Sequence, residues 1–175
     1  MDAETAATQM AQFANITKMS HDEISNYGSA IVGLGNNFAT TEADINNMAM
    51  RLAAAGTQVG MSQADILGLS TALSSLGVEA EAGGSAVSTI MSNIDKAVAT
   101  NGDSLQAWAS AAQMSAADFS EAWKSDPAQA LSAVLAGLQS ATEAGGNMSL
   151  MLEELGINEL RQTDSMKRRN SAEHP

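Results

Sequence analysis

The chain has 175 residues, a formal charge of −12 and no cysteine, so disulfide frameworks, thiolate metal sites and cysteine nucleophiles are excluded. It has only two histidines, His21 and His174, which excludes a three-histidine zinc site. Twenty acidic against eight basic residues and 3% aromatics disfavour nucleic-acid binding, because phosphate contacts need clustered lysine and arginine. We expect no transmembrane helix and no secretory signal, since long apolar runs and a basic start are missing.

Abundant alanine, scattered β-branched residues and helix-ending glycines predict an all-α fold: a compact bundle of about eight short helices with no β-sheet. We predict an N-terminal helix over residues 1–20, a helical core region over 21–166 and a basic, polar tail over 167–175. Residues 1–160 carry a charge of −14 and residues 161–175 a charge of +2, so the end of the chain differs from its body.

The first helices are predicted from start signals and apolar stripes. The capping-box spacing of Ser20 and Glu23 begins the second helix, which Gly35 ends. Thr40 or Thr41 begins the third, and Gly56 suits a left-handed C-terminal cap. The residues predicted to face inward are Met10, Phe13 and Ile16, then Ile24, Tyr27, Ile31 and Leu34, then Ile45, Met48, Ala49 and Leu52.

A fourth helix starts at Ser62 and Asp65, places Ile66, Leu69, Leu73 and Leu76 inward, and stops at Gly77. The longest helix is predicted over residues 79–99, where Gly83-Gly84 permits close approach of a neighbour. We expect the fold to depend most on six apolar residues: Met48, Leu52, Ile90, Ile94, Leu131 and Leu135.

Short helices follow after Asn101-Gly102 and after Ser115, and Asp126-Pro127 begins another that Gly145-Gly146 ends. Two further helices are predicted from Asn147 and from Asn158. The motifs Met61-Ser62-Gln63-Ala64-Asp65 and Met114-Ser115-Ala116-Ala117-Asp118 are explained by a repeated helix-start device, with an internal repeat as the less favoured interpretation.

No residue pattern predicts catalysis, and we assign no catalytic, cofactor-binding or metal-ligating residue. Gly33-Leu34-Gly35 begins like a dinucleotide loop, but Phe38 replaces the third glycine. His21, Asp22 and Glu23 fit helix capping better than a catalytic triad, since neighbouring helical residues point apart. The same argument makes Glu153-Glu154 a solvated face rather than an acid–base pair. Scattered acids leave a divalent cation open, without a spacing that supports one.

The two tryptophans, Trp108 and Trp123, could form a binding platform. We favour a small local core that they build with Phe119 and Leu105, because the chain has few other large residues.

An ordered series of short motifs carries a resemblance to a known family. The series is Leu52–Gly56, Gly60–Leu67, Leu76–Gly83, Ile90-Met91, Met114–Phe119 with Trp123, Asp126-Pro127, Leu155-Gly156-Ile157, Arg161 and Asp164. In this order the motifs, which span about residues 25–166, resemble the core region of phage tail tape measure proteins.

The resemblance implies a non-enzymatic structural component of a phage or prophage tail, assembled in the bacterial cytoplasm and located in the virion. The implied partners are tail tube, tail tip and assembly chaperone proteins, with self-association as a further option; no nucleic acid and no cofactor are expected. Glycine stops divide the chain into short helices, so we interpret it as the compact region of a longer tape measure protein, or of a truncated prophage copy, rather than the long helical ruler. After Met166 the sequence continues with Lys167 to Arg169, where the family continues with apolar residues.

Two alternatives stay open. A membrane-active helical protein that aids phage DNA entry fits the alanine and glycine content, but a charge of −12 opposes binding to anionic lipids. A cell-wall hydrolase module would need a zinc or paired-acid constellation, which the sequence does not offer.

Overall fold

The computed structural model describes residues 3–146, and all regular secondary structure in this range is α-helical. The helices are α1 (Ala3–Thr17), α2 (His21–Asn37), α3 (Glu42–Gln58), α4 (Gln63–Ser75), α5 (Ala80–Thr100), α6 (Ser104–Ala111), α7 (Ala116–Ser125) and α8 (Pro127–Glu143). The predicted all-α class, with about eight helices and no sheet, is confirmed for this part of the chain. The helices predicted from Asn147 and Asn158, and the tail over 167–175, lie outside the described residues.

Contacts divide the described range into two compact units. The first contains the residues up to Ser92 together with Asp126–Ala128. The second contains Asn93–Ser125 and the residues from Gln129 onward.

Helix α3 is the centre of the first unit, because α1, α2 and α4 all pack on it. Its apolar stripe has no solvent exposure along most of the helix: Ile45, Met48, Ala49, Leu52 and Ala53. Burial of this kind contributes about 25 cal/mol for each Å² of apolar surface. Of the six residues expected to matter most, Met48, Leu52, Ile94 and Leu131 are almost fully buried, Ile90 is buried, and Leu135 is half-buried.

Helix starts follow the predicted capping signals. The Ser20 hydroxyl accepts the backbone N–H of Glu23, and the Glu23 carboxylate accepts the N–H of Ser20. Ser62 and Asp65 form the same capping box at α4. At α7 the Ser115 hydroxyl accepts the Asp118 N–H at 3.1 Å. The two similar motifs therefore both begin helices, as the helix-start interpretation predicts.

Two helix ends were predicted too early, at Gly35 and Gly56. Helix α2 continues to Asn37 and α3 to Gln58. A Cβ on Gly35 would lie 2.9 Å from Cδ of Glu42, and one on Gly56 would lie 2.8 Å from Cγ1 of Ile66. Both glycines therefore make room for side chains packed against their helices. The left-handed residue after α3 is Gly60, with φ of +90°.

The predicted inward face of α4 is wrong in part. Ile66 is buried, but Leu69 and Leu73 are half-buried and Leu76 is 80% exposed. Leu76 lies beyond the last helical residue, so the helical period no longer sets its direction. The buried face instead carries hydroxyl groups, which donate to backbone carbonyls of their own helix: Ser70 to Ile66, Thr71 to Leu67 and Ser74 to Thr71.

The predicted close approach at Gly83-Gly84 is confirmed at Gly84. A Cβ on Gly84 would lie 2.6 Å from Cβ of Arg51 on α3. One turn further along α5, the Ser88 hydroxyl donates to the Arg51 carbonyl at 3.0 Å. Arg51 also pairs with Glu81 at 3.8 Å, with both side chains well exposed. Small residues on α5 thus bring its first turns against the backbone of α3.

A chain of buried hydrogen bonds that no sequence pattern predicts joins α1, α2 and α3. The Tyr27 hydroxyl donates to Oδ1 of Asn46 at 3.1 Å, and Nδ2 of Asn46 donates to the Gln9 side chain. Asn46 is 1% exposed. The Tyr27 ring stacks on Phe13 with 4.5 Å between ring centroids. Burial raises the pKa of Tyr27 well above its ordinary value of 10.0.

The second unit contains the predicted tryptophan core. Trp108, Phe119, Trp123 and Leu105 are all buried, and the rings of Phe119 and Trp123 lie 6.5 Å apart. Nε1 of Trp123 donates to Oδ1 of Asp95 on α5 at 3.3 Å. The core interpretation of the two tryptophans is confirmed, since neither ring presents an open platform.

Helices α6 and α8 of the second unit approach most closely at Gly137. A Cβ on Gly137 would lie only 1.7 Å from the carbonyl oxygen of Ala111. This contact is with backbone rather than with a side chain that could rotate away.

We expect Gly137→Ala to lower the free energy of unfolding by about 2 kcal/mol, because the two helices must separate to admit a methyl group. Urea unfolding followed by circular dichroism measures the change. Gly33→Ala is the matched control: Gly33 lies within α2 with nothing near its Cβ position, so alanine should stabilise the chain by about 0.5–1 kcal/mol. A stable Gly137→Ala variant would contradict the close contact.

We expect Tyr27→Phe to lower the free energy of unfolding by about 1–2 kcal/mol at neutral pH, because Asn46 loses a buried hydrogen bond. Above pH 10.0 the unfolded chain releases the tyrosine proton before the folded chain does, so the Tyr27 contribution to stability falls as pH rises. The stability gap between the native chain and Tyr27→Phe should therefore narrow at alkaline pH.

Tyr27 is the only tyrosine, so tyrosinate absorbance reports on it alone. The absorbance should appear only as the chain unfolds. Ionisation near the ordinary pKa in a folded chain would contradict the buried hydrogen bond.

Candidate interaction surface

The first unit has an open apolar groove between α2 and the first turns of α4, here called the α2–α4 groove. Both helices pack on α3, and the groove lies between them. Its wider end has a volume of about 570 Å³ and is lined by Ala30, Gly33, Leu34, Asn37, Phe38, Ala64, Leu67 and Gly68. A narrower end of about 220 Å³ continues past Ala30 and Ala64 towards Met19, Glu23, Asn26 and Gln63.

The floor and the walls of the groove differ in residue size. Leu67 is buried at the floor, while Ala30, Gly33, Ala64 and Gly68 on the walls are small and exposed. Phe38, the residue directly after α2, lies at the wider end of the groove, and 53% of its surface is exposed. An exposed aromatic ring beside apolar small residues is typical of a protein interaction surface.

Phe38 entered the sequence analysis only as the residue that rules out a dinucleotide loop. The signal that could have found it is the α2 stripe of Ile24, Tyr27, Ile31 and Leu34, whose spacing continues to Phe38. The predicted stop at Gly35 hid this continuation. Phe38 directly follows α2 with an extended backbone, and its N–H donates to the Leu34 carbonyl at 3.0 Å.

A second groove, of about 800 Å³, lies between α6 and α8 in the second unit. Its lining is more polar and includes Asp103, Gln106, Gln113 and Ser140. The α2–α4 groove is the better candidate for protein contact, because desolvating apolar walls is less costly than desolvating polar side chains.

The residues weighed for catalysis are spread out or serve as caps. His21, Asp22 and Glu23 are exposed in the first turn of α2, where hydrogen bonds with Ser20 lower the pKa of the Glu23 carboxyl. This confirms the capping interpretation for Glu23. Glu153-Glu154 lies outside the described residues. Within residues 3–146 no group of three histidine, aspartate or glutamate side chains is placed to hold a metal ion.

Comparison with protein-family models, curated proteins and solved structures yields no match. In the described part of the chain, no helix is both long and apolar enough to cross a bilayer.

Proposed function

We propose that the chain is a non-enzymatic structural component of a phage or prophage tail, a compact region of a tape measure protein that acts through helix packing. The observation that carries the proposal is an all-helical architecture in which short helices bury apolar stripes on one another while the α2–α4 groove stays open. The ordered motif series along the sequence supports the assignment to a tail.

The hydrogen bonds of the acidic side chains support a packing role. Glu23, Asp44, Asp65 and Asp118 each bond to the residue that caps the start of their helix. These carboxylates stabilise helix ends, where they complement the positive end of the helix dipole. Tail tube, tail tip and assembly chaperone proteins are the proposed partners, and the virion tail is the proposed location.

The proposal predicts that this chain is present in assembled tails. Tail particles from the source bacterium, after prophage induction, would be purified on a density gradient and analysed by quantitative mass spectrometry. Peptides of the chain should follow the tail tube and tail tip proteins across the gradient in a constant ratio.

The control is the same chain expressed without the other tail genes, which should stay at the top of the gradient. Tails that contain tube and tip proteins but lack this chain would contradict the proposal.

A further inference from the structure

We propose that the α2–α4 groove binds a partner protein through an amphipathic helix whose apolar stripe is flanked by lysine or arginine. This inference deepens the proposed packing function and rests on it. Three properties of the groove define the partner: its length and depth, its exposed ring and its charge.

The groove has the dimensions of a helix-binding site. One wall is α2, whose 17 residues extend over about 25 Å. The walls admit close approach because Gly33 and Gly68 have nothing within 4 Å of a Cβ position. Helices pack with axes 8–10 Å apart, and the shorter distances require small residues at the contact. A helix laid along α2 would therefore reach the Leu67 floor.

Phe38 supplies an anchor at the wide end of the groove. Its ring is about half exposed, although it follows a helix whose other stripe residues are buried or half-buried. Burying the exposed part of an aromatic ring beneath an apolar side chain gives a large gain in binding free energy for a small loss of side-chain conformational entropy. The partner stripe should accordingly place a leucine or methionine over Phe38.

The net charge of the first helices determines which kind of partner helix suits the groove. Glu23 lines the narrow end of the groove. Residues 3–92 contain eight acidic and two basic side chains, a net charge of −6. Cationic flanks on the partner would complement Glu23 and the net negative charge of these residues, and would speed association.

The same charge disfavours other occupants. A second copy of the chain would bring one region of net negative charge, residues 3–92, against another, which costs free energy. Vesicles of anionic lipid would be repelled in the same way. A helix with lysine or arginine beside its apolar stripe meets both the apolar and the electrostatic requirement.

The proposal is tested on the full chain by titration with synthetic helical peptides of about 17 residues, the length of α2. One peptide has a leucine–alanine stripe flanked by lysines, and its control has glutamates in place of the lysines. In proton–nitrogen-15 NMR spectra, the backbone amide signals of Gly33 and Gly68 should shift on addition of the lysine peptide until the groove is saturated. The amide signals of Gly77 and Gly102 should not shift. The glutamate peptide should bind at least about tenfold more weakly.

Two matched variants separate insertion into the groove from general charge attraction. Ala30→Glu blocks the groove while adding a negative charge, and Ala82→Glu adds the same charge at an exposed position on α5. Glutamate is a good helix former, so both variants should keep the fold, which circular dichroism checks. The proposal expects about tenfold weaker binding for Ala30→Glu and nearly unchanged binding for Ala82→Glu.

Equal binding of both peptides, tighter binding by Ala30→Glu, or shifts spread over the whole chain would overturn the proposal. A dimer of the chain that Ala30→Glu abolishes would overturn it in favour of a second copy. Absence of the chain from purified tails would contradict the proposed tail function while leaving the peptide result standing, so the two failures are distinguishable.

Discussion

Burial of the apolar stripe of α3 is the constraint on which the first unit depends. Three helices pack on it, and its apolar stripe is excluded from solvent along most of its length. The contacts that α2, α4 and α5 make with α3 differ in kind. Tyr27 of α2 donates to the buried Asn46, α4 places Ile66 over Gly56, and α5 approaches Arg51 through Gly84. Alanine-rich helices bury little area each, so these close contacts must supply the specificity that large side chains supply elsewhere.

The elements of this fold were largely predictable because their signals are local. Capping boxes at Ser20 and Ser62 and the Asp126-Pro127 start depend on residues within one turn, and each begins a helix where expected. Glycine was harder to interpret. The same residue type ends helices by adopting a positive φ, as Gly77 does, and admits a neighbour within a helix, as Gly56 does. Only tertiary contacts decide between these two uses.

The buried faces were less predictable than the helices, and the α2–α4 groove was not predicted. On α4, serine and threonine replace leucine at the interface because their hydroxyls bond within the helix, so hydropathy alone pointed to the wrong side. The groove depends on two helices that are distant in sequence lying together on α3. The groove stays open because Gly33 and Gly68 on its walls have no side chain. A larger residue at either position would fill the space.

An open apolar groove on an acidic helical unit links the architecture to the proposed role. Side chains cap the starts of α2, α3, α4 and α7, and the apolar stripe of α3 is buried, while the α2–α4 groove stays open. Such a surface suits assembly with a protein partner, since specificity can come from groove shape and charge together. In this account α3 holds the two walls of the groove in position, and the groove persists only while α3 stays buried.

Native-state hydrogen exchange tests this central role of α3 most directly. The account predicts that the amides of Met48 to Ala53 exchange only through global unfolding, with a protection free energy equal to that measured by denaturant. Amides at the ends of α2 should exchange through smaller openings. Exchange of α3 through local openings, while α2 and α4 stay protected, would contradict the account.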